Sequence, residues 1–202
     1  MTAVPGWAID AIVRAGRRMD ARGWVPATAG NISVRLGDVA LAVTRSGGHK
    51  GFLDADSVMA VDLEGMALTA GRPSAETLLH CQLYRLFPQT GAVLHGHSIA
   101  ATVLTTIASG PLVFAGYEVQ KAFAGQMTHE GTVTVPVVAN DQDISRLAAN
   151  VEPALLTGAP AGYLIRGHGA YVWGPDMDAA LARLEALEFL LECELEKRKL
   201  AR

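Results

Sequence analysis

Apolar positions change their period several times along this chain, and each change marks an element. Between residues 5 and 22, Trp7, Ile9, Ile12, Val13 and Met19 recur at helical spacing, and Gly23 ends the run. Gly30-Asn31 then reads as a turn, and Ile32 and Val34 alternate as a strand. Residues 39–44 predict a second strand that enters the loop Arg45-Ser46-Gly47-Gly48-His49-Lys50-Gly51. Residues 58–63 and 66–68 flank Glu64-Gly65 and predict a hairpin. Ser74 predicts the N-cap of a helix over 75–87, which Pro88 stops. Residues 92–97 read as a buried strand, followed by a helix from about Ser98 to Ile107. A strand over 133–138 and a helix over 143–151 follow. A segment beginning at Leu155 or at Tyr163 and ending at Ile165 leads into Arg166-Gly167-His168-Gly169, with a strand over 170–173 beyond it. Met177, Ala180, Leu181, Leu184, Leu187, Leu191 and Leu195 predict a long amphipathic helix over 176–200. Strands mixed with helices, and hairpins in the first half, indicate an α/β protein whose central sheet is flanked by helices.

Length and composition narrow this picture. The chain has 202 residues, half of them hydrophobic, and no linker divides it, so a single domain over 1–202 is expected. Seventeen basic residues against 20 acidic ones leave a net charge of -3, which gives no electrostatic case for nucleic acid. The run Lys197-Arg198-Lys199 suits the end of the last helix, where cations oppose the helix dipole. Two cysteines, Cys81 and Cys193, both in predicted helices, do not make a disulfide framework and fit a reducing cytoplasm. The first residues lack a basic region followed by an apolar stretch, so no signal peptide is expected. Apolar runs such as 133–139 are too short to span a bilayer, and no membrane partner is expected.

Candidate chemistry concentrates on three histidines. On a strand, His95 and His97 project from the same face, and Gly96 between them leaves the other face open to close packing. His168, between two glycines, sits where the backbone can turn sharply and present its ring to a cleft. Three imidazoles with one position left open is the pattern of catalytic zinc, although imidazole also suits iron, nickel and copper. His80 is expected to pack or to cap a surface, and His49 and His129 to lie in solvated loops.

Two loops are suited to an anion. Residues 28–33 (Thr-Ala-Gly-Asn-Ile-Ser) and 44–48 (Thr-Arg-Ser-Gly-Gly) combine glycine with hydroxyl and amide donors, and Ser74 adds a helix start. Lys50 or Arg45 would supply charge. Glu76, after Ser74, and Glu118, in Tyr117-Glu118-Val119-Gln120, are candidates for proton transfer. As ordinary structural residues, Glu76 would answer its own helix dipole and Glu118 would face solvent.

Taken in order, residues 29–33, Thr44-Arg45-Ser46-Gly47, Pro73-Ser74-Ala75-Glu76, His95-Gly96-His97-Ser98 and Arg166-Gly167-His168-Gly169 resemble the class II aldolase/adducin family, over nearly the whole chain. The resemblance implies an α/β/α sandwich with a central, mainly antiparallel sheet. It implies one Zn2+ per subunit on His95, His97 and His168, with phosphate held by Asn31, Ser46, Gly47 and Ser74. It further implies a small phosphorylated ketose as substrate, and a homotetramer with active sites near subunit interfaces. The stretches 44–48, 117–121 and 168–174 most resemble members that eliminate water from the ketose, which implies Glu118 as acid/base. Family aldolases instead use the glutamate matching Glu76, and both glutamates stand in this chain. The alternatives are an aldolase or epimerase acting through the same zinc enediolate, and a non-catalytic adducin-like binding domain, which is expected to lack the three histidines.

Overall fold

A computed structural model describes residues 3–159 and 161–201. The chain contacts divide into two compact units, one running up to Gly96 and including Trp173–Ala180, the other made of His97–Val172 with the rest of the chain from Leu181.

In the first unit, helix α1 (Gly6–Ala21) buries Ala8, Ile12, Ala15, Gly16 and Met19 on one face, the stripe that its spacing predicts. Strands β1 (Asn31–Arg35), β2 (Ala40–Thr44) and β3 (Val58–Asp62) follow, then helix α2 (Thr77–Leu86) and strand β4 (Ala92–Gly96). β1 pairs antiparallel with β2 and, on its other edge, with β4, and β2 pairs antiparallel with β3. The register sets Asn31 opposite His95 and Ile32 opposite Leu94. Ile32, Leu41, Val43, Val61, Leu79, Leu83 and Leu94 form the buried centre.

The second unit holds helix α3 (Ile99–Ile107), strands β5 (Leu112–Ala115), β6 (Thr132–Val135) and β7 (Val137–Val138), helix α4 (Ile144–Leu156) and strand β8 (Tyr163–Ile165). Strand β9 (Gly169–Gly174) and helix α5 (Met177–Leu200) each contribute residues to both units. β5 and β6 form an antiparallel ribbon, β7 runs parallel to β8, and β8 is antiparallel to β9. α4 buries Leu147, Val151 and Leu155, and α5 buries Leu184, Leu187 and Leu191.

Among the described residues the main sheet has the order β3-β2-β1-β4-β9-β8-β7. The class is therefore α/β with a central, mainly antiparallel sheet, as expected. Boundaries differ in several places: β4 stops at Gly96, so His97 lies beyond the expected strand, and α4 runs on to Leu156 and takes in Leu155. α2 begins at Thr77, because both the amide and the hydroxyl of Thr77 bond to the Ser74 carbonyl and Glu76 takes the cap position. Ser74 thus meets the helix through its backbone. The strand expected over 133–138 is broken at Pro136, which has no N–H to donate, and its two parts join different sheets. β5 stands where no strand was expected, its residues alternating buried and exposed. The expected hairpin over 58–68 keeps only one bridge on its second arm, Val61 to Ala67. Among the described residues no helix is long and apolar enough to cross a membrane.

Candidate metal centre

β4 carries His95 into the interior of the first unit, where its ring is fully buried and its Nε2 lies 3.2 Å from Glu76 Oε2. Asn31, across the β1–β4 ladder, donates its amide N–H to the same Glu76 oxygen at 2.8 Å. Two glycines allow this approach. Gly30 has φ +79°, and a Cβ there would stand 2.7 Å from the His95 carbonyl oxygen. At Gly96 a Cβ would press on the Trp24 carbonyl at 3.2 Å and on Met19 at 3.4 Å, which is the close packing expected between the two histidines.

Behind Asn31 lies a network that the sequence reading missed. His80 is fully buried, with Nε2 against Asn31 Oδ1 and Nδ1 at 2.7 Å from Ser33 Oγ. Ser33 Oγ is 2.9 Å from the Tyr84 hydroxyl. His80 was expected to pack or to cap a surface; it instead lies inside a polar relay. Burial, aided by the neighbouring His95 and opposed by Glu76, pushes its pKa down to about 3. The signal was available, since Glu76, His80 and Tyr84 follow one another at i, i+4 and i+8 along α2, while Asn31 and Ser33 share a face of β1.

In the second unit, His97 directly precedes Ser98, whose hydroxyl caps α3 by accepting from Ala101 N at 3.0 Å. The His97 and His168 rings meet edge to face with centroids 4.5 Å apart. His168 closes a tight turn in which Gly167 takes φ +64°. Gly167 N donates to Thr105 Oγ1 at 2.9 Å, and Arg166 reaches the Thr105 and Ala108 carbonyls, both at 2.6 Å. Thr102 Oγ1 donates to the His168 carbonyl at 3.1 Å, so α3 pins the whole turn. Asn140 Oδ1 stands 3.4 Å from His168 Nδ1 and faces the second ring nitrogen of a prospective ligand.

Glu76, His95, His97 and His168 each offer one ligand atom, and these atoms all lie within 4.8 Å of one another. Ligands about 2.0–2.1 Å from a tetrahedral zinc are roughly 3.3 Å apart, close to the spacing of His95 and Glu76. Three imidazoles and a carboxylate thus fit a divalent metal, and the donor set alone does not single out zinc. The three expected histidines come together, and Glu76 joins them.

Glu118 has different surroundings. It opens a 3-10 turn (Glu118–Ala122), its side chain is 70% exposed, and it pairs with Lys121 and lies 3.7 Å from His129. Hydrogen bonding to Lys121 holds its carboxyl below the usual range. The anion loops are joined through their backbones: Ser46 N bonds to Arg72 O, Ser74 N to Thr44 O, and Arg45 bridges Pro73. Ser46 and Gly47 are exposed, and Gly47 has φ +84° with nothing within 4 Å of a Cβ. Asn31 is buried, with its amide engaged by Glu76 and His80. Lys50, expected to supply charge, is buried and donates to the carbonyls of Thr28 and Gly48. Burial lowers it to about 8.

Comparison with known proteins sets this centre in a lineage. The chain is 63% identical to the methylthioribulose-1-phosphate dehydratase of Granulibacter bethesdensis, over 97% of this chain and 94% of that one. It is 58% identical to the enzyme of the same name from Pseudomonas syringae pv. tomato, over 93% of each chain. The crystal structure of L-fuculose-1-phosphate aldolase from Thermus thermophilus superposes with a TM-score of 0.77 at 29% identity, covering 95% of both chains. The model of the class II aldolase and adducin N-terminal domain matches residues 10–195. This chain belongs to the class II aldolase and adducin family.

Proposed function

We propose that this protein is a zinc-dependent hydro-lyase that dehydrates 5-methylthioribulose 1-phosphate to 2,3-diketo-5-methylthiopentyl 1-phosphate in methionine salvage. The observation that carries the reading is the near-full-length likeness to dehydratases of that name, in a chain with an assembled Glu/His/His/His group. A non-catalytic binding domain would have no use for such a group.

His95, His97 and His168 would hold the metal, with Glu76 beside them. Bound there, a divalent cation supplies an electrophile for the negative charge that develops as the proton next to the ketone leaves. Ser46, Gly47 and Ser74 hold the phosphate and convert that remote binding into alignment of the reacting carbons. Asn31, first considered for the phosphate, serves Glu76. Glu118 moves the proton that lets the C4 hydroxyl depart as water. Its exposure accords with a site completed by a neighbouring subunit. Ile99, Val103 and Ile107, an exposed apolar stripe on α3, support the homotetramer. The single-domain reading is supported by a family match that spans both contact units, and the cytoplasmic one by two free cysteines.

The test is direct. Purified, zinc-loaded protein given 5-methylthioribulose 1-phosphate should form the diketone, read by its absorbance, with no aldehyde released. The aldolase alternative draws support from the fuculose-phosphate aldolase likeness. Cleavage of fuculose 1-phosphate without diketone formation would replace the dehydratase reading with it.

A further inference from the structure

The relay behind Glu76 has a direction. An ionised carboxylate only accepts, so Asn31 turns its NH2 to Glu76 and its carbonyl oxygen to His80. A ring facing that oxygen donates through Nε2, which leaves Nδ1 as the acceptor of a neutral imidazole. Ser33 then donates to Nδ1 and accepts from the Tyr84 hydroxyl. Each hydrogen bond therefore points from Tyr84 through Ser33, His80 and Asn31 to Glu76. Ser33 and His80 are fully buried, and Asn31 and Tyr84 nearly so, in a place where apolar side chains would fill the space without the cost of removing polar groups from water. What the polar groups achieve is orientation, because the relay ends on the one oxygen of Glu76 that also faces His95.

We propose that His80 is a positioning residue, whose Nε2–H tautomer, set by Ser33 and Tyr84, locks the Asn31 amide and thereby aims the Glu76 carboxylate into the metal centre. The sequence spacing of Glu76, His80 and Tyr84 on α2 is the physical basis of the device. One helical face carries the group that is aimed, the group that aims it and the group that sets the tautomer.

Two measurements on the full chain test this without reference to a substrate. In the 15N spectrum of histidine-labelled protein, His80 should show a protonated Nε2 and a bare Nδ1 from about pH 5.5 to 8, the range in which ordinary histidines titrate. A protonated Nδ1, or a mixture of tautomers, would overturn the proposal. Chelator competition should show that His80→Phe weakens zinc binding about 10- to 100-fold, the loss typical of removing a group that orients a metal ligand. His80→Gln, which keeps an acceptor and a donor on its terminal carboxamide, should recover most of that loss. Equal loss in both variants would mean that His80 only fills space and would sink the idea, as would unchanged zinc binding in His80→Phe. Should His80→Phe not fold, Ser33→Ala decides: a mixed His80 tautomer with weakened zinc supports the relay, and a single Nε2–H form with unchanged zinc refutes it. The kinetic arm rests on the dehydratase reading and expects kcat to fall in His80→Phe while KM holds. A wild type inert towards 5-methylthioribulose 1-phosphate would fail that reading alone, since the spectrum and the zinc titration do not use substrate.

Discussion

Glu76 and Glu118 both stand at the start of a helical turn, and their surroundings divide them. Glu76 has a side chain only 12% exposed, with one oxygen held by Asn31 and facing His95. Glu118 is 70% exposed and leans on a flexible lysine. A carboxylate fixed by a buried amide keeps one position and one set of partners, which suits a group acting at a metal. An exposed carboxylate can exchange Lys121 for a substrate or a neighbouring chain at little cost, because a surface ion pair is worth little. The pair shows that similar local placement can serve either a fixed or a recruitable acid, depending on what lies behind the side chain.

The comparison can be broken at several points. The largest effect is expected from His168→Ala, which removes a ligand that both proposals need: zinc content after gel filtration, read by atomic emission, should fall towards zero and turnover with it. Glu76→Gln comes next, with kcat lowered by about 10²-fold or more and zinc retained less tightly; a variant with full activity would show that Glu76 is a bystander. Glu118→Gln should lower kcat by about 10²-fold as well, with zinc content unchanged. If it turns over at the wild-type rate, the recruitable-acid reading fails and Glu76 inherits the proton chemistry.

The smallest effect concerns a third glutamate that calibrates the other two. Glu188 on α5 is fully buried, and burial raises its pKa to about 7, opposed by the Ser98 hydroxyl and reinforced by Glu192. Its folded form holds a proton more tightly than the unfolded chain does. Its contribution to stability is therefore fully present below about pH 4.5 and is lost as pH rises through about 7, by about 3 kcal/mol over the window. Glu188→Gln should raise Tm at pH 8 and leave it nearly unchanged at pH 4.5, as thermal melts would read. An equal shift at both values would show that Glu188 titrates like an ordinary surface carboxylate.

Much of this was legible in the sequence where periodicity and chain proximity carry the information. α1 and α5 follow directly from apolar stripes, and the His-x-His spacing marked both histidines, although β4 ends at Gly96 and His97 lies just beyond it. His168 needed its flanking glycines to be noticed, and its partner residues Thr105 and Asn140 gave no sign, because a turn pinned to a helix far away in sequence leaves no local pattern. Lys50 and Asn31 have partners that the sequence did not suggest, for a related reason. A lysine beside glycines suggests an anion, but burial turned its amine to two backbone carbonyls. An amide in a turn suggests a ligand contact, but the β1–β4 register turned it towards Glu76. Residue type gives a side chain's capacity, and only tertiary packing decides what uses it. His80 combines both failures, since its stripe with Glu76 and Tyr84 was visible on α2 while the facing pair on β1 gave it meaning.

The register that sets Asn31 opposite His95 has a consequence for assembly of the molecule. Side chains alternate across a strand, so sliding β1 by one residue would swing Asn31 and Ser33 to the other face and leave Glu76 and His80 without them. Metal uptake at this centre would therefore gauge correct strand pairing. On the proposed relay, a slipped chain would bind the ion less well, and mass action would favour the sheet aligned to hold it.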